Sequence, residues 1–300
     1  MLRFILIVLL GCNAAGCATT ETRHAAAVPL IDAPQTAIEV RATTQKSANL
    51  FEIEDPLVQA VEARVKGHYD VAYQKFYAAW LATPRSEAVI IGLADMALKT
   101  GHTEQAYSAI SELKLDTETV NPALLASQVL TEIAVGKSPD IELRLNQALK
   151  RAPKDARLWN AMGRFYDSES LWLQAQDCYI RSHKFGGSKA GLNNNLGMSL
   201  LMQGRLSAAL SKFEHAFDIE KDVDLYDNNR RLTLAVMGQF DKATNGMSPM
   251  RAADILNDAG YIAKLTQQNA RAKALFKAAI EHSETYHAKA HENLTNLKLK

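Results

Sequence analysis

The sequence has few of the residues that interrupt helices: among its 300 residues are only eight prolines and fifteen glycines. Aromatic residues make up 7% of it, whereas alanine and leucine are abundant, and this bias favours helices. The formal net charge is +1, so no overall field attracts nucleic acid or an anionic membrane. A Gly-rich phosphate loop, a Gly-x-Ser-x-Gly elbow and a Cys-x-x-Cys pair are all absent. We therefore predict a protein that is not an enzyme and that has no cofactor, no metal site and no nucleic-acid partner.

Cysteine is also scarce, and two of the three cysteines follow the apolar start of the chain. After Arg3, Phe4–Leu10 is an apolar run of seven residues, far short of the ~20 that a helix needs to span a bilayer. Two Gly-Cys pairs then follow, ending at Cys12 and Cys17, and both resemble a bacterial lipobox. This pattern predicts a lipoprotein signal peptide over residues 1–16.

The lipidated cysteine is predicted from its neighbours. Cys17 leaves an apolar region of normal length and is followed by small residues, whereas Cys12 has the better preceding residue, Leu9, but a very short apolar region. We choose Cys17, with Cys12 as the alternative and an ordinary cleaved signal as a third possibility. A lipobox cysteine resembles those that receive several acyl chains, which together anchor a protein firmly. The residue that follows Cys17 in the mature chain is not an aspartate, and this implies the outer membrane, with the body in the periplasm.

Residues 17–52 are rich in alanine and threonine and show no sustained period, so we predict a flexible tether. Cys178 is then the only other thiol of the mature chain and has no partner for an internal disulfide. Because it lies in a helical pattern, we expect a small, buried, apolar side chain there.

A period of 34 or 35 residues organises the rest of the chain, as the spacing of five glycines shows: Gly67, Gly101, Gly136, Gly204 and Gly238. This period indicates helical repeats of the tetratricopeptide (TPR) type. We predict an all-α, right-handed superhelical solenoid of TPR helical hairpins. Its repeats are 53–86, 87–120, 122–155, 156–189, 190–223, 224–252 and 253–286, with a capping helix over 287–300.

The repeat positions have packing roles. Gly163 and Ala175 match small positions that let helix backbones approach, while Trp159 or Phe213 would fill the space between helices. The periodic glycines would adopt the left-handed conformation that ends a first helix. One hairpin cannot bury its own apolar face, so stacking is required.

A histidine group near the C-terminus is the nearest approach to a metal site. His287 and His291 are four residues apart in a predicted helix, and His282 precedes them. We interpret the three as part of a solvated polar face.

Asparagines recur at the fifth position of four successive repeats: Asn160, Asn194, Asn228 and Asn257. In this repeat family that position faces the concave groove, where a side-chain amide can both donate to and accept from a peptide unit. We therefore predict a peptide-binding groove lined by these amides, with Arg157 and Arg164 adding a site for a carboxylate. The alternative is that the asparagines have a local structural role.

The order of lipobox, Thr/Ala-rich tether and TPR array resembles the TadD-like lipoproteins of the tight-adherence (Flp) pilus assembly system. The stretches Asn228–Leu232, Gly238–Ala243 and Leu256–Ala263 add to the likeness. The resemblance implies a non-catalytic scaffold at the periplasmic face of the outer membrane. It would help to place or stabilise the secretin of the pilus, its protein partner. A pilotin-like or adaptor TPR lipoprotein of another system, such as type IV pili or cell-wall hydrolase regulation, is the alternative.

Overall fold

The computed structural model describes residues 55–113, 120–138 and 140–298. Every regular element of this part is an α-helix, which confirms the all-α prediction. The helices are α1 (Pro56–Val65), α2 (Tyr69–Ala82), α3 (Glu87–Thr100), α4 (Thr103–Ser111), α5 (Pro122–Ala134), α6 (Ile141–Arg151), α7 (Ala156–Ser168), α8 (Trp172–Lys184), α9 (Lys189–Met202), α10 (Leu206–Ile219), α11 (Asp224–Val236), α12 (Phe240–Thr244), α13 (Pro249–Leu265), α14 (Asn269–His282) and α15 (Ala288–Lys298).

The helices form hairpins in which each odd-numbered helix up to α13 packs against the helix that follows it. The described chain divides after Ser188 into two compact units, α1 to α8 and α9 to α15. The predicted signal peptide and tether, with Cys12 and Cys17, lie outside the described residues. The predicted domain limits stay a prediction. None of the described helices combines the length and the apolar character needed to cross a membrane.

Local sequence explains where the helices begin and end. The side chains of Asp55, Asn121 and Asp155 accept hydrogen bonds from the first turns of α1, α5 and α7, as helix caps do. The five periodic glycines all have positive φ, between 70° and 83°, so the predicted left-handed conformation is confirmed. A residue with a Cβ would be strained there, and this explains the glycine period.

Close helix approach builds the core of each hairpin. A Cβ added to Gly163 would lie 2.5 Å from the ring of Tyr179 in the first unit. In the second unit, a Cβ at Gly197 would lie 2.8 Å from Phe213. Both rings are almost completely buried. A glycine on the first helix thus leaves the space that an aromatic ring of the second helix fills.

Trp159 differs from the expectation that it fills the space between helices as Phe213 does. Phe213 is fully buried, whereas Trp159 is only partly buried. The indole Nε1–H of Trp159 donates to the carbonyl of Pro153 at 2.9 Å, and the Arg181 guanidinium lies 4.9 Å from the ring centroid. The indole is therefore not enclosed between helices, because it lies where its N–H can donate to a backbone carbonyl.

Cys178 is buried, as predicted, and its thiol is free among the described residues. Burial, with the nearby Asp177 carboxylate, raises the pKa of its thiol to about 12. The thiol therefore stays protonated at neutral pH and acts as a small apolar side chain.

Candidate functional site

A groove of about 580 Å³ opens in the first unit. First helices of four hairpins contribute to its wall, and the loops before α5 and α7 complete it. We call it the first-unit groove and define it by Leu57, Val61, Arg64, Ala88, Ile91 and Arg157. Most of this wall is apolar, with charged groups at particular points.

Helical spacing brings these side chains together. Leu57, Val61 and Arg64 follow one another at intervals of four and three residues, which places them on one face of α1. Ile91 contributes from α3, and Ala88 one turn before it is small and exposed. The groove therefore has an open apolar wall on its α1 and α3 sides.

Sequence reasoning missed this wall, although the signal was present. Leu57 and Ile91 occupy the fifth positions of the predicted repeats 53–86 and 87–120, the position at which the asparagine series was recognised in later repeats. Only the polar residues at that position were interpreted as groove residues, and the apolar ones were not. Applied to every repeat, the same rule would have predicted an apolar groove at the start of the array.

Arg157 lies at the base of the first-unit groove, where the chain itself uses its guanidinium. Nη1 forms a short ion pair with Asp95 of α3 and donates to Ser127 Oγ of α5 at 3.1 Å. Nε and Nη2 donate to the two carboxylate oxygens of Asp155 at 3.1 and 2.7 Å. Nη2 also lies 3.4 Å from the carbonyl oxygen of Ala123. The guanidinium thereby joins three consecutive hairpins.

This network determines the charge at the base of the groove. Burial alone would lower the pKa of Arg157, but Asp95 and Asp155 outweigh it and raise that pKa above its ordinary value. Arg157 is therefore always charged and always paired. The predicted site for a partner carboxylate at Arg157 stays a prediction, but such a carboxylate would have to compete with two that already hold the guanidinium.

Arg164, the second arginine predicted for the groove, is partly buried near the other end of α7. Burial lowers its pKa to about 10, while Tyr179 and Asp167 act in the opposite direction. Arg164 therefore remains protonated at neutral pH. Among the described residues its Nε has no hydrogen-bond partner. Arg164 does not line the first-unit groove, so the structure does not bring the two arginines together in it.

Two of the predicted groove asparagines pair with asparagines of the next first helix in the second unit. Asn229 of α11 donates from Nδ2 to Asn194 Oδ1 of α9 at 2.7 Å. Asn293 of α15 donates in the same way to Asn257 Oδ1 of α13 at 3.0 Å. Asn194 and Asn257 are only 2% and 4% exposed, so these amides bridge helices rather than line an open surface.

The other two asparagines have different surroundings. Asn160 is buried in α7 of the first unit. Asn228 is half-buried, and its Oδ1 accepts from Arg251 Nη2 at 3.2 Å. Asn160 is in the first unit and the other three asparagines are in the second, so Asn160 is described separately from them. That these amides bind a peptide stays a prediction. The hydrogen bonds that they form between helices are observed in the structure.

The three histidines near the C-terminus have separate roles. His282 Nδ1–H donates to the carbonyl of Ala278 at 2.9 Å, and His291 stacks on Tyr286. His287 Nδ1 accepts from the backbone N–H of Ala290 at 3.1 Å, so its Nε2–H faces Asp254 Oδ1 at 3.2 Å. In the part of the chain that the structure describes, no three His, Cys, Asp or Glu side chains are grouped to hold a metal ion.

Asp258 of the second unit has a carboxyl group whose pKa lies above its ordinary value. Burial in α13 and the nearby Asp254 carboxylate raise its pKa to about 6, although the Asn257 amide, Lys289 and His287 favour the charged form. The folded protein therefore binds a proton at Asp258 more tightly than the unfolded chain does. The free energy of unfolding of the second unit should therefore rise as the pH falls from about 6 to about 4. At neutral pH Asp258 is charged, and the unfavourable burial of that charge lowers the stability in full.

The helix-bridging amides generate the first prediction. Asn194→Ala leaves the buried Nδ2 of Asn229 without its acceptor, so the free energy of unfolding should fall by ~1–3 kcal/mol. Asn269→Ala, at an exposed asparagine of α14, is the control and should change it by less than ~0.5 kcal/mol. Chemical denaturation measures both. Equal stability of the two variants would show that the Asn194–Asn229 bond contributes nothing.

The second prediction concerns pH. Asp258→Asn removes the charge that burial opposes, so at pH 7 the variant should be more stable than the parent by about 1–3 kcal/mol. The same variant should lose the rise in stability that the parent shows below pH 6. Asp222→Asn, an exposed change of the same charge, should keep that rise. Denaturation at a series of pH values tests this, and an unaltered slope in Asp258→Asn would contradict it.

No family model and no curated protein matches this chain. Solved structures do match. A human IFIT1 dimer with PPP-AAAA has a TM-score of 0.57 at 16% identity, with 84% of this chain and 65% of that chain covered. The Cut9 and Hcn1 hetero-tetramer of the APC/C has a TM-score of 0.56 at 12% identity, with 81% and 49% covered.

A tetratricopeptide repeat protein from Parabacteroides merdae has a TM-score of 0.47 at 16% identity, with 82% of this chain and 98% of that chain covered. This chain spans about half the length of its match in the APC/C assembly. At these identities the similarity concerns the fold alone. The chain has the all-α fold of tetratricopeptide helical hairpins, as the two matches with TM-scores above 0.5 and the glycine-terminated helix pairs within each unit agree.

Proposed function

We propose that this protein is a non-catalytic scaffold for protein–protein interaction, and that the first-unit groove is where it binds a partner. The observation that carries the proposal is the groove itself: 580 Å³ with an open wall of Leu57, Val61 and Ile91 and a rigid base. Apolar side chains of a partner would leave water on entering it, which is the main driving force of protein association. Its base would not collapse, because the Arg157 network ties three hairpins together.

We further propose that the scaffold is attached by a lipid to the outer membrane and faces the periplasm. The support is the sequence: an apolar run, a Gly-Cys pair ending at Cys17, and a Thr/Ala-rich segment before the helices. A coil of ~35 residues has a root-mean-square span on the order of 30 Å. A tether of that reach would let the helical units meet a partner at some distance from the membrane.

The system proposed for this scaffold is assembly of a tight-adherence (Flp) pilus. The support is the resemblance to TadD-like lipoproteins, which rests on the order of lipobox, tether and repeats. The partner would be the outer-membrane secretin, which the scaffold would help to place or stabilise. No cofactor enters this function.

The scaffold proposal predicts that filling the groove blocks binding of the partner. Ala88→Glu puts a charged side chain on the open wall and should reduce capture of the secretin from cross-linked envelopes by about tenfold. Ala78→Glu is the matched control, because Ala78 is an exposed alanine on α2 outside the groove. Both variants should melt within about 2 °C of the parent.

Equal capture by Ala88→Glu and Ala78→Glu would contradict the groove as the binding site. Capture of a different envelope component, lost in Ala88→Glu, would contradict the secretin and support an adaptor of another system.

The anchor is tested separately. If Cys17 is lipidated, Cys17→Ser should leave the protein in the soluble periplasmic fraction or block removal of the signal peptide. Cys12→Ser, the control, should leave the protein in the membrane fraction. Fractionation with immunoblotting distinguishes the two, and loss of membrane attachment only in Cys12→Ser would show that the wrong cysteine was chosen.

A further inference from the structure

The first-unit groove combines two kinds of surface, and together they restrict what can bind there. Leu57 and Val61 of α1 and Ile91 of α3 are partly exposed apolar side chains. Next to Ile91, Gly92 has no side chain, and the ring of Phe76 occupies the space where a Cβ of that residue would lie. This wall fits apolar side chains and offers an isolated polar group nothing to pair with.

Some charged residues of the groove are paired with a residue of opposite charge, and others are not. Three cations and two anions line it: Arg64, Lys154, Arg157, Asp95 and Asp155. Arg157 and the two carboxylates form the buried network at the base, which retains one negative charge. The side chains of Arg64 and Lys154 form no ion pair or hydrogen bond with another residue of the described part of the chain. Lys154 is exposed and Arg64 is half-buried.

The net charge presented by the groove is therefore positive, and its accessible charges are the two cations. A basic segment entering the groove would bring like charge to Arg64 and Lys154 while water is excluded, which is unfavourable. A segment with carboxylates would compensate both cations. Its apolar residues would at the same time cover Leu57, Val61 and Ile91.

We propose that the first-unit groove binds an acidic, apolar segment of a partner polypeptide. Apolar side chains of that segment lie against α1 and α3, and its carboxylates meet Arg64 and Lys154. This inference rests on the proposed scaffold function and adds the chemistry of the partner. The acidic character sets orientation and selectivity, while the apolar wall supplies most of the affinity.

Three fluorescein-labelled synthetic peptides of equal length test the assignment. The first alternates leucine and glutamate, the second has lysine in place of glutamate, and the third has serine in place of leucine. Fluorescence anisotropy with the full chain measures their dissociation constants. The first peptide should bind at least about tenfold more tightly than either of the others. Its affinity should also fall when salt is raised from about 50 to about 500 mM.

The double variant Arg64→Glu with Lys154→Glu should weaken the acidic peptide by about tenfold or more and strengthen the lysine peptide. The control pair, Lys221→Glu with Lys242→Glu, changes the total charge equally at exposed lysines of the second unit and should leave both affinities unchanged. Equal binding of the acidic and basic peptides, or equal effects of the two variant pairs, would overturn the proposal.

Residues 50–54 of this chain, in which Phe51 and Ile53 alternate with Glu52 and Glu54, have the same chemistry. If Phe51→Ser with Ile53→Ser in the full chain raised the affinity for the acidic peptide about tenfold, the occupant would be this segment, and the assignment to a partner would fail.

The two proposals can fail separately. Loss of secretin capture in Ala88→Glu without any preference for acidic peptides would preserve the scaffold and reject the partner chemistry. A preference for the acidic peptide without secretin capture would preserve the chemistry and reject the pilus assignment.

Discussion

The close approach of paired helices is the constraint on which the rest of this structure depends. Gly163 and Gly197 leave no side chain where the rings of Tyr179 and Phe213 pack, so two backbones lie nearer than larger residues would allow. A hairpin built in this way still has an uncovered apolar face, and only the next hairpin covers it. Within the first unit, the first helices of successive hairpins therefore line one groove wall.

Within the first unit, polar contacts then determine where the groove can be open. Arg157 reaches Asp95, Ser127 and Asp155, residues that are far apart in sequence but adjacent once three hairpins stack. Burying a guanidinium is strongly unfavourable unless it is paired, and here the carboxylates of Asp95 and Asp155 pair with it. Because its donors are used inside the protein, the proposed partner would meet the apolar wall and the cations elsewhere in the groove.

The sequence predicted those features that are local or periodic. Glycines with positive φ and the burial of Phe213 between helices follow from the 34-residue period, because each depends on residues of a single hairpin. The partners of Arg157 and Asn194 do not follow from it. Asp95 lies 62 residues from Arg157, and Asn229 lies 35 residues from Asn194, so these pairs depend on which helices become neighbours. For that reason the asparagine series was recognised while its bonds between helices were not.

Under the proposed function, stability and recognition are carried by different residues of this fold. The Arg157 network and the Asn194–Asn229 bond are buried and join successive first helices, so changing them alters the scaffold itself. Arg64 and Lys154 lie at accessible points of the groove and hold no helix in place, so their charge can vary at little expense to folding. A repeat array can therefore change the partner it selects through a few side chains at fixed positions of its first helices and of the loops before them. The specificity of this protein is expected to reside in those side chains rather than in the residues that define its repeats.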